Sequence, residues 1–198
     1  LFPHLVDARA AFALGARAAA LTHGHPSGYL SAGAMAAIVR ELTAAATAAT
    51  GPVAMSDRSA ALRAAALAAA VLAREWPRHG ETVAAIEAAL ARAAAPAADP
   101  STDVAALGAG WVGEEALAIG LYAALRGADF PAVLAIAANH DGDSDSTASI
   151  AGQLRGTAHG VDDIPHAWID RLDVLAPALG LLARTLAAAP HDGRRGQR

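Results

Sequence analysis

The run Asn139-His140-Asp141-Gly142-Asp143-Ser144-Asp145-Ser146-Thr147 gathers three carboxylates, three hydroxyls and one glycine in a chain otherwise dominated by alanine and leucine. Alternating Asp and Ser offers several hard oxygens to one small cation, and Mg²⁺ and Ca²⁺ take carboxylate, hydroxyl, carbonyl and water oxygens rather than nitrogen or sulfur. A divalent-metal site is therefore the first expectation. A calcium loop of the helix-loop-helix kind does not fit. Counting from Asp141, the sixth place, which needs glycine, is Ser146, and the twelfth, which needs a bidentate Glu, is Gly152. Asp143 and Asp145 have a second use open to them, because Asp and Ser are favoured caps for a following helix. His140 is left out of the metal shell as a group that titrates in response to its acidic neighbours.

Two other stretches carry chemistry-bearing residues. Thr22-His23-Gly24-His25-Pro26-Ser27-Gly28 places two histidines in a predicted loop, and His23 is the candidate for ligand contact. Gly108-Ala109-Gly110-Trp111-Val112-Gly113-Glu114-Glu115 leads into a helix. Trp111 there is either a partly buried anchor or a stacking platform. Glu114 and Glu115 fall in the first helical turn, where the dipole alone explains negative charge.

These residues need helices to hold them. Periodicity predicts helices over 7–21, 31–49, 58–74 with Ser56 or Asp57 as cap, 81–95, 113–126 with Gly127 past its end, 130–138 and 172–188. The segment 96–103 reads as a surface loop within one domain, 165–170 as a turn, and 190–198 as a disordered tail. Ala148, Gly152, Gly156 and Gly160 recur every four residues, which predicts a small-residue face where a neighbouring helix comes close and steadies the acidic run.

Composition bounds the class. A chain of 198 residues with 55% hydrophobic content fills one core, and with aromatics at 4% that core is built from closely spaced Ala-rich helices. The expected fold is all-α, an irregular Ala-rich bundle over 1–189. A net charge of −4, with scattered Arg and no Lys, gives no footprint for nucleic acid. With no cysteine, disulfides and thiolate metal sites are excluded. The longest uncharged stretches contain His, Pro and Gly and do not read as membrane spans. No signal peptide is read at the start, so the cytoplasm is the expected location.

The acidic run, followed by Ile150-Ala151-Gly152 and Gly156, resembles the C-terminal metal motif of the ADP-ribosylglycohydrolase family. Leu21-Thr22-His23-Gly24-His25-Pro26 and Gly110-Trp111-Val112-Gly113-Glu114-Glu115-Ala116-Leu117 agree with that family in order and character. Ile164-Pro165 and Trp168 resemble its closing helices, so nearly the whole chain is covered. The resemblance implies a binuclear Mg²⁺ or Mn²⁺ centre. It also implies cleavage of the glycosidic bond joining ADP-ribose to a protein side chain, or in a small ADP-ribosyl compound. By position it makes Asp143, Asp145 and Ser146 metal ligands, the family more often having Thr at the last, and it puts His23, Trp111 and Gly142 at the substrate. Asp141 stands where the family usually has a second Gly.

One departure is large. The family carries an N-terminal Thr-Asp-Asp metal motif and an upstream catalytic Glu; no Thr-Asp-Asp occurs here, and Asp162-Asp163 comes too late to replace it. The chain also opens Leu1-Phe2 without Met. These residues are therefore expected to be the C-terminal part of a longer enzyme, inactive alone, with the catalytic Glu outside them. Two alternatives stay open. One is a non-catalytic helical binding or structural member of the same fold. The other is a haloacid-dehalogenase-like phosphotransferase, whose Asp-x-Asp-x-Thr letters match 143–147 but which needs a buried strand ahead of them and usually a Lys.

Overall fold

The computed structural model describes residues 7–49, 54–96 and 99–188. Among these the chain is all-α, with ten helices and no strand: α1 (Ala8–Ala19), α2 (Pro26–Ala48), α3 (Met55–Ala73), α4 (Gly80–Ala94), α5 (Pro100–Leu107), α6 (Gly113–Arg126), α7 (Phe130–Ala138), α8 (Ser144–His159), α9 (His166–Ile169) and α10 (Leu175–Ala188). A 3-10 turn, Val161–Asp163, follows α8. The proposed tail 190–198 lies outside the described residues. No described helix is long and apolar enough to cross a membrane.

Small residues let the helices close on one another. Gly15 of α1 sits over α2 so tightly that a Cβ there would lie 2.8 Å from Ala32 O, while Phe12 fills the space Gly33 leaves open. Helix α6 is the centre. Every residue from Ala116 to Ala124 is buried, and α2, α4, α7 and α8 pack around it. Its closest approach to α8 is at Gly120, where a Cβ would come 2.5 Å from Ile150 Cγ2 and 3.1 Å from Ala151 N.

That contact corrects the expected glycine face. Only part of the Ala148–Gly160 stripe meets a neighbour: Gly152 faces Leu134 and Phe130 of α7, whereas Gly156 and Gly160 have no non-local atom within 4 Å of an added Cβ. The glycine that admits α8 to the core lies on α6.

Three polar contacts fix the remaining elements. Arg92 of α4 and the Tyr122 hydroxyl of α6 both donate to Asp103 of α5 at 2.8 Å. The Tyr122 hydrogen bond, and then Arg92, hold the Asp103 carboxyl below its usual range. Burial, reinforced by Asp103, pushes the Tyr122 phenol up to about 12. At the far end of α8 the buried Arg155 guanidinium grips Asp163 at 2.5 and 3.1 Å and donates to Gly127 O and Ala128 O at 3.1 Å. It thereby ties the α6–α7 connection to the 3-10 turn, and loss of one partner from such a pair costs about 3–5 kcal/mol.

Several element boundaries differ from expectation. Helix α2 starts at Pro26 rather than Ser31, because His25 is extended and caps Ser27 N while Pro26 takes the first position. Helix α5 occupies the second half of the expected 96–103 loop, with Asp99 capping Ser101 N and Pro100 leading. Helix α3 begins at Met55 behind Ala54, with Asp57 inside the first turn and no side-chain cap. A short helix, α9, stands in the expected 165–170 turn. Helix α10 contributes nothing to the buried core and leaves Leu179, Leu181 and Leu182 exposed.

Candidate metal and substrate site

Helix α7 ends where Asn139 turns its side-chain amide back to Ala135 O at 2.8 Å. The chain then reverses through His140–Asp143 into α8, so the acidic run follows a helix. The strand required by the phosphotransferase alternative is not there. Asp143 is the N-cap of α8, accepting from Ser146 N at 3.4 Å. Capping and metal ligation thus fall on the same residue.

The turn is held from outside by the loop before α6. Asp143 N donates to Ala109 O at 2.8 Å. A Cβ on Gly142 would come within 2.7 Å of the Ala109 carbonyl carbon and nearer still to its oxygen, so only glycine lets the two backbones meet. Gly110 adopts φ +78°, favourable to glycine, and its Cβ would strike Thr147 Cγ2 at 2.8 Å. Glu115 secures this loop by accepting from both Ala109 N and Gly110 N at 3.0 Å. The sequence suggested only a dipole role for Glu115; nothing in the pattern Gly-x-Gly-x-x-Gly-x-Glu announces a backbone clamp. The neighbouring Glu114 keeps one buried carboxylate oxygen without a hydrogen-bond partner.

The histidine loop joins the same face. Gly113 at the head of α6 lies against α2, where a Cβ would be 3.2 Å from Gly28 Cα and 3.3 Å from Ser27 O. Gly28 in turn is covered by the His23 side chain, 3.1 Å from an added Cβ. Contacts run from His23 through Gly28 to Gly113 and from Gly110 to Asp143, and the two sets are joined along the chain by Trp111 and Val112. His23 is exposed, with Nδ1 2.8 Å from Thr22 Oγ1. His25 is held by Ser27 and by Arg78, whose guanidinium lies 3.2 Å from Nε2, and its role is the cap. Trp111 is 69% exposed beside Gly110, which rules out the buried-anchor reading.

The electrostatics suit a cation. A hydrogen bond with Asp145 is the largest influence holding the Asp143 carboxyl below its ordinary range; Ser146 adds to it, burial opposes it, and His140 assists weakly. Among the described residues no group of three or more His, Cys, Asp or Glu side chains is disposed to hold a metal. Asp143 and Ser146 are half-buried and Asp145 is exposed; Mg²⁺ keeps several waters and is commonly bound through one or two carboxylates, so these oxygens are of the right type for part of a shell. Asp141 is exposed at the edge of this group. A cleft of 820 Å³ opens beside it, lined by Ser101, Ala105, Gly108, Asn139, His140 and Asp141 among others.

An oxygen-only acidic turn at a helix start, backed by a glycine-clamped loop on an all-α scaffold, defines a helical protein with a candidate divalent-cation site. The ADP-ribosylglycohydrolase family model matches residues 1–195, and the chain belongs to that family. Over 45 residues it is 44% identical to the ADP-ribosyl-[dinitrogen reductase] glycohydrolase of Rhodospirillum rubrum. That stretch is 23% of this chain and spans 15% of the relative's length. No solved structure matches the chain.

Proposed function

We propose that this chain supplies the acidic side of a Mg²⁺ or Mn²⁺ centre in a hydrolase that cleaves the glycosidic bond between ADP-ribose and a protein side chain. The observation that supports it most is that the loop before α6 touches both other stretches, the start of α2 through Gly113 and Gly28 and the acidic turn through Gly110 and Asp143. Asp143, Asp145 and Ser146 would hold the metal, which supplies Lewis-acid stabilisation of oxygens and a means of acidifying water. Glycosidic cleavage develops positive charge on the ribose, and the Asp pair places negative charge where it offsets that development. Trp111 offers a flat exposed surface to the adenine, and His23 offers a hydrogen-bonding ring at the opposite end of the contact chain. Gly142 serves by letting the Ala109 loop close on the turn. No residue assigned here is the general acid or base, and the proposed activity belongs to an enzyme that adds further metal ligands to this set.

The test is release of free ADP-ribose from an ADP-ribosylated protein by the complete enzyme in Mg²⁺. Asp145→Asn and Asp143→Asn should each abolish it, and full release by both variants would remove the acidic turn from the reaction. A second reading is supported by the lack of a three-residue ligand group among the described residues: a helical member that binds ADP-ribosylated partners without turnover. Tight ADP-ribose binding with no release by the complete protein would favour it.

A further inference from the structure

The Thr147 hydroxyl is fully buried and faces four polar groups: Ala137 O at 2.7 Å, His140 Nε2 at 2.9 Å, Asp143 O at 3.0 Å and Ser144 O at 3.2 Å. Carbonyl oxygens only accept, and a hydroxyl has a single hydrogen to give. That hydrogen goes to a carbonyl, Ala137 O being the nearest. The imidazole must then be the donor in the contact with His140. Nε2 therefore carries the ring proton, and in the neutral ring Nδ1 keeps a bare lone pair. That nitrogen is turned toward Gly142, 2.9 Å from where a Cβ would stand, and the ring borders the cleft beside Asp141. The His140 carbonyl is engaged as well, accepting from Ser144 Oγ at 3.3 Å.

We infer that His140 is a positioning residue for the acidic turn, locked as its Nε2–H tautomer by Thr147 and presenting Nδ1 to the cleft as an acceptor. With three carbonyls in reach, the Thr147 hydroxyl alone has competing orientations. A donor from His140 fills a lone pair and fixes the hydroxyl toward Ala137. The end of α7 and the start of α8 are thereby joined at one angle, and the Asp143 backbone, which also abuts Thr147, is set with its carboxylate beside Asp145. A histidine that only fills space would need neither a single tautomer nor a donor at the Nε2 position. The inference deepens the proposed cation site and rests on it for the metal-binding readout alone.

The experiment is long-range ¹H–¹⁵N correlation of the imidazoles in the ¹⁵N-labelled chain at about pH 8, above the usual imidazole range. His140 is expected as the Nε2–H tautomer. Thr147→Val, the same shape without the hydroxyl, should release it to a mixture, and Thr147→Ser should retain it. In parallel, His140→Ala should speed exchange of the Asp143 amide and weaken Mn²⁺ binding, followed by electron paramagnetic resonance, each by roughly tenfold. His140→Gln, whose amide nitrogen replaces Nε2 as donor, should restore both. An Nδ1–H or mixed tautomer in the unmodified chain, or a His140→Gln variant no better than His140→Ala, overturns the inference. Should His140→Ala fail to fold, the tautomer of the unmodified chain and its response to Thr147→Val decide the matter. An Nε2–H ring together with a complete enzyme that binds no Mn²⁺ would sink the cation reading and leave the tautomer assignment standing.

Discussion

Gly142→Ala probes the contact on which the candidate site depends. Gly142 does not have the positive φ that favours glycine, so the substitution is a test of space rather than of backbone conformation. The new Cβ would sit 2.7 Å from the Ala109 carbonyl carbon, where 3.4 Å is the lower limit of ordinary contact. Clearing the carbonyl carbon alone requires the two backbones to part by about 0.7 Å, and the nearer oxygen requires more, so the 2.8 Å Asp143 N–Ala109 O hydrogen bond is stretched beyond about 3.5 Å and lost. Losing this bond and leaving its groups unsatisfied costs about 2–3 kcal/mol. In a chain of this length that lowers Tm by roughly 4–12 °C, read by calorimetry. Gly156→Ala is the matched control. It lies inside α8, the helix this turn leads into, with open space around the added methyl, and it should raise stability by about 0.5–1 kcal/mol through helix propensity. A Gly142→Ala protein as stable as the parent, or equal shifts in both variants, would refute the claim that the Ala109 loop clamps the acidic turn.

Other expectations follow from the same geometry. Glu115→Gln replaces a carboxylate accepting two backbone amides with a neutral acceptor and should cost about 1–2 kcal/mol in urea unfolding; an unchanged midpoint would show that the loop holds itself. Trp111→Ala should weaken ADP-ribose binding by the complete enzyme by about 1–3 kcal/mol, the value of one base–aromatic stack, without altering thermal stability, since the indole is exposed. Burial, with Arg155 and Arg58 adding to it and Asp163 opposing, pushes the His159 imidazole down to about 4 from 6.5. The folded state thus binds fewer protons than the unfolded chain between those values. Stability worth about 3 kcal/mol is therefore lost as pH falls from 6.5 through 4. His159→Asn should flatten that limb in unfolding measured against pH, and a slope unchanged by the substitution would assign the acid sensitivity elsewhere.

The helical class and the acidic run that marks the candidate site were legible in the sequence because both are contrasts of composition. An Ala-rich chain with few aromatics packs as close helices, and nine polar residues at 139–147 interrupt it unmistakably. Boundaries failed where proline was read as a breaker: Pro26 and Pro100 each lead a helix, with His25 and Asp99 capping. What positions the site was hidden for a different reason. The acidic turn is held by a backbone carbonyl at Ala109, by two amides on Glu115 and by the hydroxyl of Thr147, and none of these partners leaves a periodic mark. The glycines at 108, 110 and 142 were visible as letters. Which neighbour each one admits emerges only once α6 and α8 are in place.

The most direct test of the account is titration of the complete enzyme with Mn²⁺, the free ion being followed by electron paramagnetic resonance. Saturable binding that Mg²⁺ displaces, and that Asp143→Asn and Asp145→Asn each weaken by at least roughly tenfold, is the predicted result. Binding left intact by both substitutions, or no saturable binding in the unmodified complete enzyme, would contradict it.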